Sequence, residues 1–104
     1  MFVGMAQISV LIGHSHSLKD KRMVVRRIKD RVRERLGVTV AEVGDAELWQ
    51  RADFGVAVPS GSHGKAVELV DDVVREIERA IGSTGNGEVV AVYKDVAKLD
   101  GIPA

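Results

Sequence analysis

The chain has no cysteine among its 104 residues. This absence excludes a disulfide framework and any zinc site with cysteine ligands, and it fits a reducing compartment. The sequence also has no apolar run long enough to cross a membrane. Its apolar N-terminal segment, 1–13, is interrupted by Gln7 and Ser9 and lacks the basic region and cleavage site of a signal peptide. These absences predict a soluble, cytoplasmic protein that does not bind membranes.

Catalytic and cofactor signatures are also missing. The sequence contains no Gly-x-Ser-x-Gly segment, no Walker loop and no dinucleotide fingerprint. His14 and His16 precede a predicted helix, and His63 lies in a later loop, but a lone His-x-His pair is a weak metal signal. We interpret that segment as an exposed turn, with an anion site at the helix N-terminus as the alternative. We therefore expect no enzymatic activity, no metal and no cofactor.

Aromatic residues are scarce: one Trp, one Tyr and two Phe. Trp49 is followed by Gln50 and Arg51, and an aromatic ring beside arginine can stack on a nucleic-acid base. A large aromatic residue in a small domain more often packs into the core, so we expect Leu48 and Trp49 to cover one end of it. The segment 51–58 lacks the paired aromatics of RNA-recognition motifs, so a base-stacking sheet is not expected.

Six segments have the periodicity of regular secondary structure. Period-2 alternation predicts a strand at 2–12, further strands are predicted at 38–43, 52–58 and 88–96, and apolar residues spaced by three and four predict helices at 18–36 and 65–81. Ser17 and Gly37 are suitable caps for the first helix. The order β-α-β-β-α-β predicts a ferredoxin-like α+β fold, a four-stranded antiparallel sheet with two helices on one face. We expect one domain, 1–96, and a short tail, 97–104.

The two faces of the first predicted strand differ in character. One face is wholly apolar and is expected to meet the helices; it comprises Phe2, Ala6, Ile8, Val10 and Ile12. The other face is mixed and is expected to be only partly covered; it comprises Val3, Met5, Gln7, Ser9 and Leu11. A half-apolar open sheet face predicts a surface for a homodimer or a protein partner.

The charges are distributed unevenly although their sum is zero. The segment 19–35 has nine Lys and Arg against three Asp and Glu, a local charge of +6, and the rest of the chain carries −6. At about 100° per residue, several of these cations fall on one flank of the first helix. A row of like charges destabilises an isolated helix unless an anion neutralises it. A charged helix face of this kind is ordinarily only a solvated surface. Here arginine outnumbers lysine, which favours a surface that contacts phosphates.

The predicted nucleic-acid-binding residues are six cations of the first predicted helix and one arginine from a later segment. They are Lys19, Lys21, Arg22, Arg26, Lys29, Arg33 and Arg51. Phosphate contacts of this kind give affinity with little base specificity. The leading hypothesis is therefore a non-enzymatic protein that binds RNA or the ribosome. The alternative is a homo-oligomeric protein-interaction module that uses the open sheet face and has no nucleic-acid role.

Two motifs carry a resemblance to a known family. They are Ser-Leu-Lys-x-Lys-Arg at 17–22 and the pair Val-Ala-Glu-Val at 40–43 with Leu-Trp-Gln-Arg-Ala at 48–52. The chain resembles the YlxP-like family of small bacterial domains of unknown function over nearly its whole length. That resemblance implies a ferredoxin-like fold. It also implies RNA binding or a role in assembly of the small ribosomal subunit.

Overall fold

The computed structural model describes residues 1–13, 15–84 and 87–101. The six elements are β1 (Phe2–Ile12), α1 (Leu18–Leu36), β2 (Ala41–Glu42), β3 (Arg51–Ser60), α2 (His63–Thr84) and β4 (Gly87–Lys98). The strands form one antiparallel sheet in the order β2-β3-β1-β4. Both helices pack on one face of this sheet, so the predicted ferredoxin-like fold is confirmed.

The caps of α1 are those that the sequence predicts. The Ser17 hydroxyl accepts a hydrogen bond from the Asp20 backbone N–H at 3.1 Å. Gly37 takes the left-handed conformation, with φ of 66°, and its N–H donates to the Arg33 carbonyl at 2.9 Å. Together the caps satisfy backbone groups that a helix end leaves without partners, and they define where the charged surface of α1 begins and ends.

The core lies between the sheet and the two helices. Alternate residues of β1 and β3 supply its lower layer, including Ile8, Val10 and Phe54. Val25, Ile28 and Val32 of α1 and Val70, Val73 and Ile77 of α2 supply the upper layer. The apolar face predicted for β1 is buried here, with Phe2 half-buried at its end.

Three strands differ from their predicted lengths, and one of them is β4, which runs from Gly87 to Lys98 instead of 88–96. β2 is only two residues long, although Val40 just before it is buried. β3 continues through Pro59 to Ser60 instead of ending before the proline. Among the described residues, β2 pairs with β3 only at Phe54 and Gly55, so the rest of that side of β3 is a sheet edge. A proline is tolerated there because no partner strand needs its missing N–H.

No helix within 1–13, 15–84 and 87–101 is long and apolar enough to cross a membrane.

Candidate nucleic-acid interface

Five cations lie along the flank of α1 that points away from α2. We call this surface the basic ridge; it comprises Lys19, Arg22, Arg26, Lys29 and Arg33. All five side chains are exposed. They share a flank because their spacings of three and four residues return to the same side of a helix. From the first to the last, the ridge spans about 21 Å at 1.5 Å per residue.

Most of the ridge carries charge that the protein itself does not neutralise. Arg33 forms an ion pair with Asp30, with 2.8 Å between Nη2 and Oδ1. The other four cations have no ion pair in the part of the chain that the structure describes. Like charges at this spacing repel one another. An external polyanion would relieve that repulsion.

The opposite flank of α1 is fastened to α2 by a buried carboxylate. Glu76 of α2 is 3% exposed, and Arg31 of α1 donates to it at 3.2 Å through Nε. Arg35 lies 4.0 Å from the same carboxylate and Arg79 donates to it at 3.3 Å. Burial of a carboxylate costs less free energy when cations and hydrogen bonds surround it. This contact orients α1 so that the basic ridge faces outward.

Lys21 does not belong to the basic ridge. It is 1% exposed, and its Nζ lies 2.8 Å from Glu42 Oε2. The same ammonium donates to the carbonyls of Asp45 and Ala46 at 3.2 and 3.3 Å. The prediction that Lys21 contacts phosphate is therefore wrong, because the Lys21 ammonium is buried and bound by groups of its own chain. One sequence signal pointed this way: Lys21 precedes Val25, Ile28 and Val32 by 4, 7 and 11 residues and so shares their buried stripe.

Arg51 also lies apart from the basic ridge, on the sheet face opposite the helices. Its neighbours Ala52 and Phe54 face the core, and alternation along a strand turns Arg51 and Asp53 to the other side. There Arg51 Nη2 lies 3.2 Å from Asp53 Oδ1 and 3.3 Å from Ser9 Oγ. Arg51 thus neutralises a carboxylate of its own chain, which corrects the expectation that it adjoins the helix.

Asp53 stays ionised in this cluster although it is buried. The Ser9 hydroxyl donates to Asp53 Oδ1 at 2.5 Å. This hydrogen bond, followed by the hydrogen bond and charge of Arg51, holds the pKa of Asp53 below its usual value against the opposing effect of burial. The Ser9–Arg51–Asp53 cluster is internally satisfied, so it offers little free charge to a ligand.

The loop 43–50 connects β2 to β3 and carries the tryptophan. Leu48 is 45% exposed and Trp49 is 53% exposed, so the prediction that they cover the core is wrong. Val40 and Ile12, each 1% exposed, are buried in the core without them. The loop is held instead by polar contacts, chiefly those of Lys21, which the spacing of apolar residues does not reveal.

The two histidines that the structure describes, His16 and His63, do not lie together. His16 is exposed, and its backbone N–H donates to Asp20 Oδ2 at 3.2 Å. His63 packs edge-on against Phe2 at a centroid distance of 5.8 Å, at the other end of β1. The length of β1 separates them by about 30 Å at 3.3 Å per residue, so they cannot share a metal ion. No group of three metal-ligating side chains occurs among the described residues, and His14 lies outside them.

Comparison with known proteins assigns the chain to a family. The family described as "Protein of unknown function (DUF503)" matches residues 3–92. The chain is 35% identical over 88 residues to the uncharacterized protein YlxP of Bacillus subtilis, covering 79% of this chain and 96% of that protein. The chain belongs to the DUF503 family. The predicted YlxP-like relationship is confirmed, and the DUF503 match spans the basic ridge and the loop 43–50.

Solved structures similar to this DUF503 protein support its fold. A de novo designed protein with a ferredoxin fold aligns with a TM-score of 0.59 at 13% identity, covering 100% of this chain and 92% of the design. A C-terminal segment of the alpha subunit of aIF2 from Pyrococcus abyssi aligns with a TM-score of 0.51 at 20% identity. That alignment covers 88% of this chain and 48% of the segment. At these identities the likeness concerns the fold alone.

Proposed function

We propose that this DUF503 protein is a non-enzymatic RNA-binding protein whose basic ridge contacts phosphates, with RNA of the small ribosomal subunit as its ligand. The observation that carries the proposal is a row of four exposed cations, Lys19, Arg22, Arg26 and Lys29, without partners among the described residues. Cations at regular spacing along a helix suit a regular array of phosphates. Guanidinium groups bind phosphate in a bidentate manner.

The location of the remaining charges supports the helix as the RNA-contacting surface. On the sheet face opposite the helices, Arg51 is paired with Asp53. The β1–β4 register places Asp95 opposite Met5 and Glu88 opposite Leu11 on this same face. Uncompensated carboxylates repel a polyanion. RNA would therefore approach the molecule from the side of α1.

The test is the salt dependence of RNA binding. We would measure fluorescence anisotropy of a labelled, structured fragment of small-subunit ribosomal RNA between 50 and 200 mM salt. Four or five phosphate contacts give a slope of log K against log salt of about −3 to −4.5, so affinity should fall about 50- to 500-fold over that range. Affinity that is independent of salt, or no binding at 50 mM salt, would refute the proposal.

A second candidate function is a homodimer formed through the open sheet face. Several apolar side chains of this face reach solvent: Ala57, Pro59, Leu11 and Tyr93, the last 69% exposed. Val3 and Met5 beside them are half-buried. Exposed apolar side chains among polar ones are typical of protein interfaces.

The homodimer is tested by measuring mass in solution. Sedimentation equilibrium at 1–200 µM should give twice the chain mass at high concentration. Met5→Lys should lower that mass to one chain, because a charge would be buried in the interface. Lys98→Glu serves as the control and should leave the dimer intact, because Lys98 lies opposite Phe2 on the helix side of the sheet. A single-chain mass at every concentration would eliminate this candidate.

A further inference from the structure

The sole tryptophan of this protein lies exposed on a loop that is attached to the N-terminal end of the basic ridge. We infer that Trp49 is a base-stacking platform: an unpaired base of the RNA bound along the ridge stacks on the indole ring. The inference rests on the proposed function and adds to it a preference for RNA with unpaired nucleotides. Stacking on an aromatic ring is available to every base, because each base has a π-face.

The exposure of Trp49 is the first observation. Its side chain is 53% exposed, although the chain has only four aromatic residues with which to fill a core. Leu48 beside it and Val43 at the start of the loop are also exposed. Indole surface left in water gains free energy when a flat apolar partner covers it. A base is such a partner, and its attached phosphate would find a cation nearby.

Hydrogen bonds hold the backbone of the loop at its start, at its turn and at its end. Its start is fixed by the Val43 N–H, which donates to the Asp53 carbonyl at 2.8 Å. Its turn is closed by the Glu47 N–H, which donates to Asp45 Oδ1 at 2.9 Å. At its end the Gln50 carbonyl accepts from Ile12 N–H at 2.8 Å. A residue held in place before binding has less conformational entropy to lose when a base stacks on it.

Lys21 connects the loop to the ridge. Its ammonium binds the carbonyls of Asp45 and Ala46, and its neighbours along α1 include the ridge residues Lys19 and Arg22. Trp49 is three residues beyond Ala46, which is at most about 11 Å of extended chain. Lys21 therefore attaches the loop that carries Trp49 to the first turn of α1, where the ridge begins. A single strand can contact both, with phosphates on the ridge and a base on the ring.

Trp49 also supplies the measurement, because it is the only source of tryptophan fluorescence. We would titrate the protein with a labelled single-stranded RNA of 12 nucleotides and with a blunt duplex of the same sequence, at 50 mM salt. Tryptophan quenching and RNA anisotropy would be recorded together. We expect the single strand to quench the fluorescence and the duplex, whose bases are already stacked, to leave it nearly unchanged.

The variants separate stacking from other contributions of the loop. Trp49→Ala should weaken single-strand binding about 5- to 150-fold, whereas Trp49→Phe should keep most of the affinity. The matched control is Leu48→Ala, which removes another exposed apolar side chain from the same loop and should change the affinity less than threefold. The salt slope should be the same in all of these proteins, because none of the changes alters a charge.

The outcomes distinguish the inference from the function on which it rests. Salt-dependent RNA binding with unchanged Trp49 fluorescence and a wild-type affinity in Trp49→Ala would overturn the stacking platform and leave the phosphate-binding ridge in place. Equal quenching by duplex and single strand would also overturn it. No binding of either RNA at 50 mM salt would remove the proposed function and the inference together, and would point to a protein partner for the loop.

Discussion

Replacing Arg22, Arg26 and Lys29 with glutamate is expected to lower the affinity for RNA at least about 100-fold at 100 mM salt, because the proposed interface would lose three phosphate contacts. The physical reason is that each of these cations is exposed and lacks an internal partner in the described structure. The reversal also turns attraction into repulsion at the same three positions. Arg33 is left unchanged because it is already paired with Asp30. Anisotropy with the ribosomal RNA fragment measures the effect.

The matched control reverses three cations elsewhere: Lys65, Arg75 and Lys98. It makes the same change in net charge at exposed positions outside α1. Charges more than about 10 Å from the RNA are largely screened at this ionic strength, so affinity should fall less than tenfold. Equal losses in the two variants would show that net charge, not the basic ridge, drives binding. Circular dichroism establishes that both variants keep their helices.

We expect Lys21→Met to lower the free energy of unfolding by about 3 kcal/mol, the scale that applies when one partner of a largely buried ion pair is removed. Methionine keeps the apolar stem but leaves the Glu42 carboxylate without its cation. It also removes the donor that holds the carbonyls of Asp45 and Ala46. Urea denaturation measures the change, read from the midpoint at constant slope. We also expect the Trp49 emission to change, because its loop loses that attachment.

Lys19→Met is the matched variant two residues earlier in the same helix. Lys19 is exposed and belongs to the basic ridge, so its loss should change the unfolding free energy by less than about 0.5 kcal/mol. Its RNA affinity should nevertheless fall several-fold, because one phosphate contact is lost. Unchanged stability in Lys21→Met, or destabilisation of both variants to the same degree, would contradict the different roles that the structure gives to these two lysines.

Much of the fold follows from local patterns along the chain. Alternation in 2–12 predicts which side of β1 meets the helices, and Ser17 and Gly37 predict the ends of α1. The ridge is also visible in the sequence, because residues three and four apart share a helix flank whatever the rest of the chain does. These properties depend only on backbone geometry and the polarity of nearby residues.

The partners of individual side chains depend on contacts distant in sequence, and only the tertiary structure decides them. Lys21 shares the buried stripe of α1, but its partners, Glu42 and the carbonyls of Asp45 and Ala46, come from a later part of the chain, 24 and 25 residues away for the two carbonyls. Arg51 is turned from the helices by its strand register and is neutralised by Asp53. Polar contacts hold the loop 43–50 in place, so the loop does not need Trp49 to be buried, and Trp49 stays exposed. The sequence by itself therefore determined where the charge is concentrated, and the tertiary structure decided which of those charges, and which aromatic ring, remain free to meet a ligand.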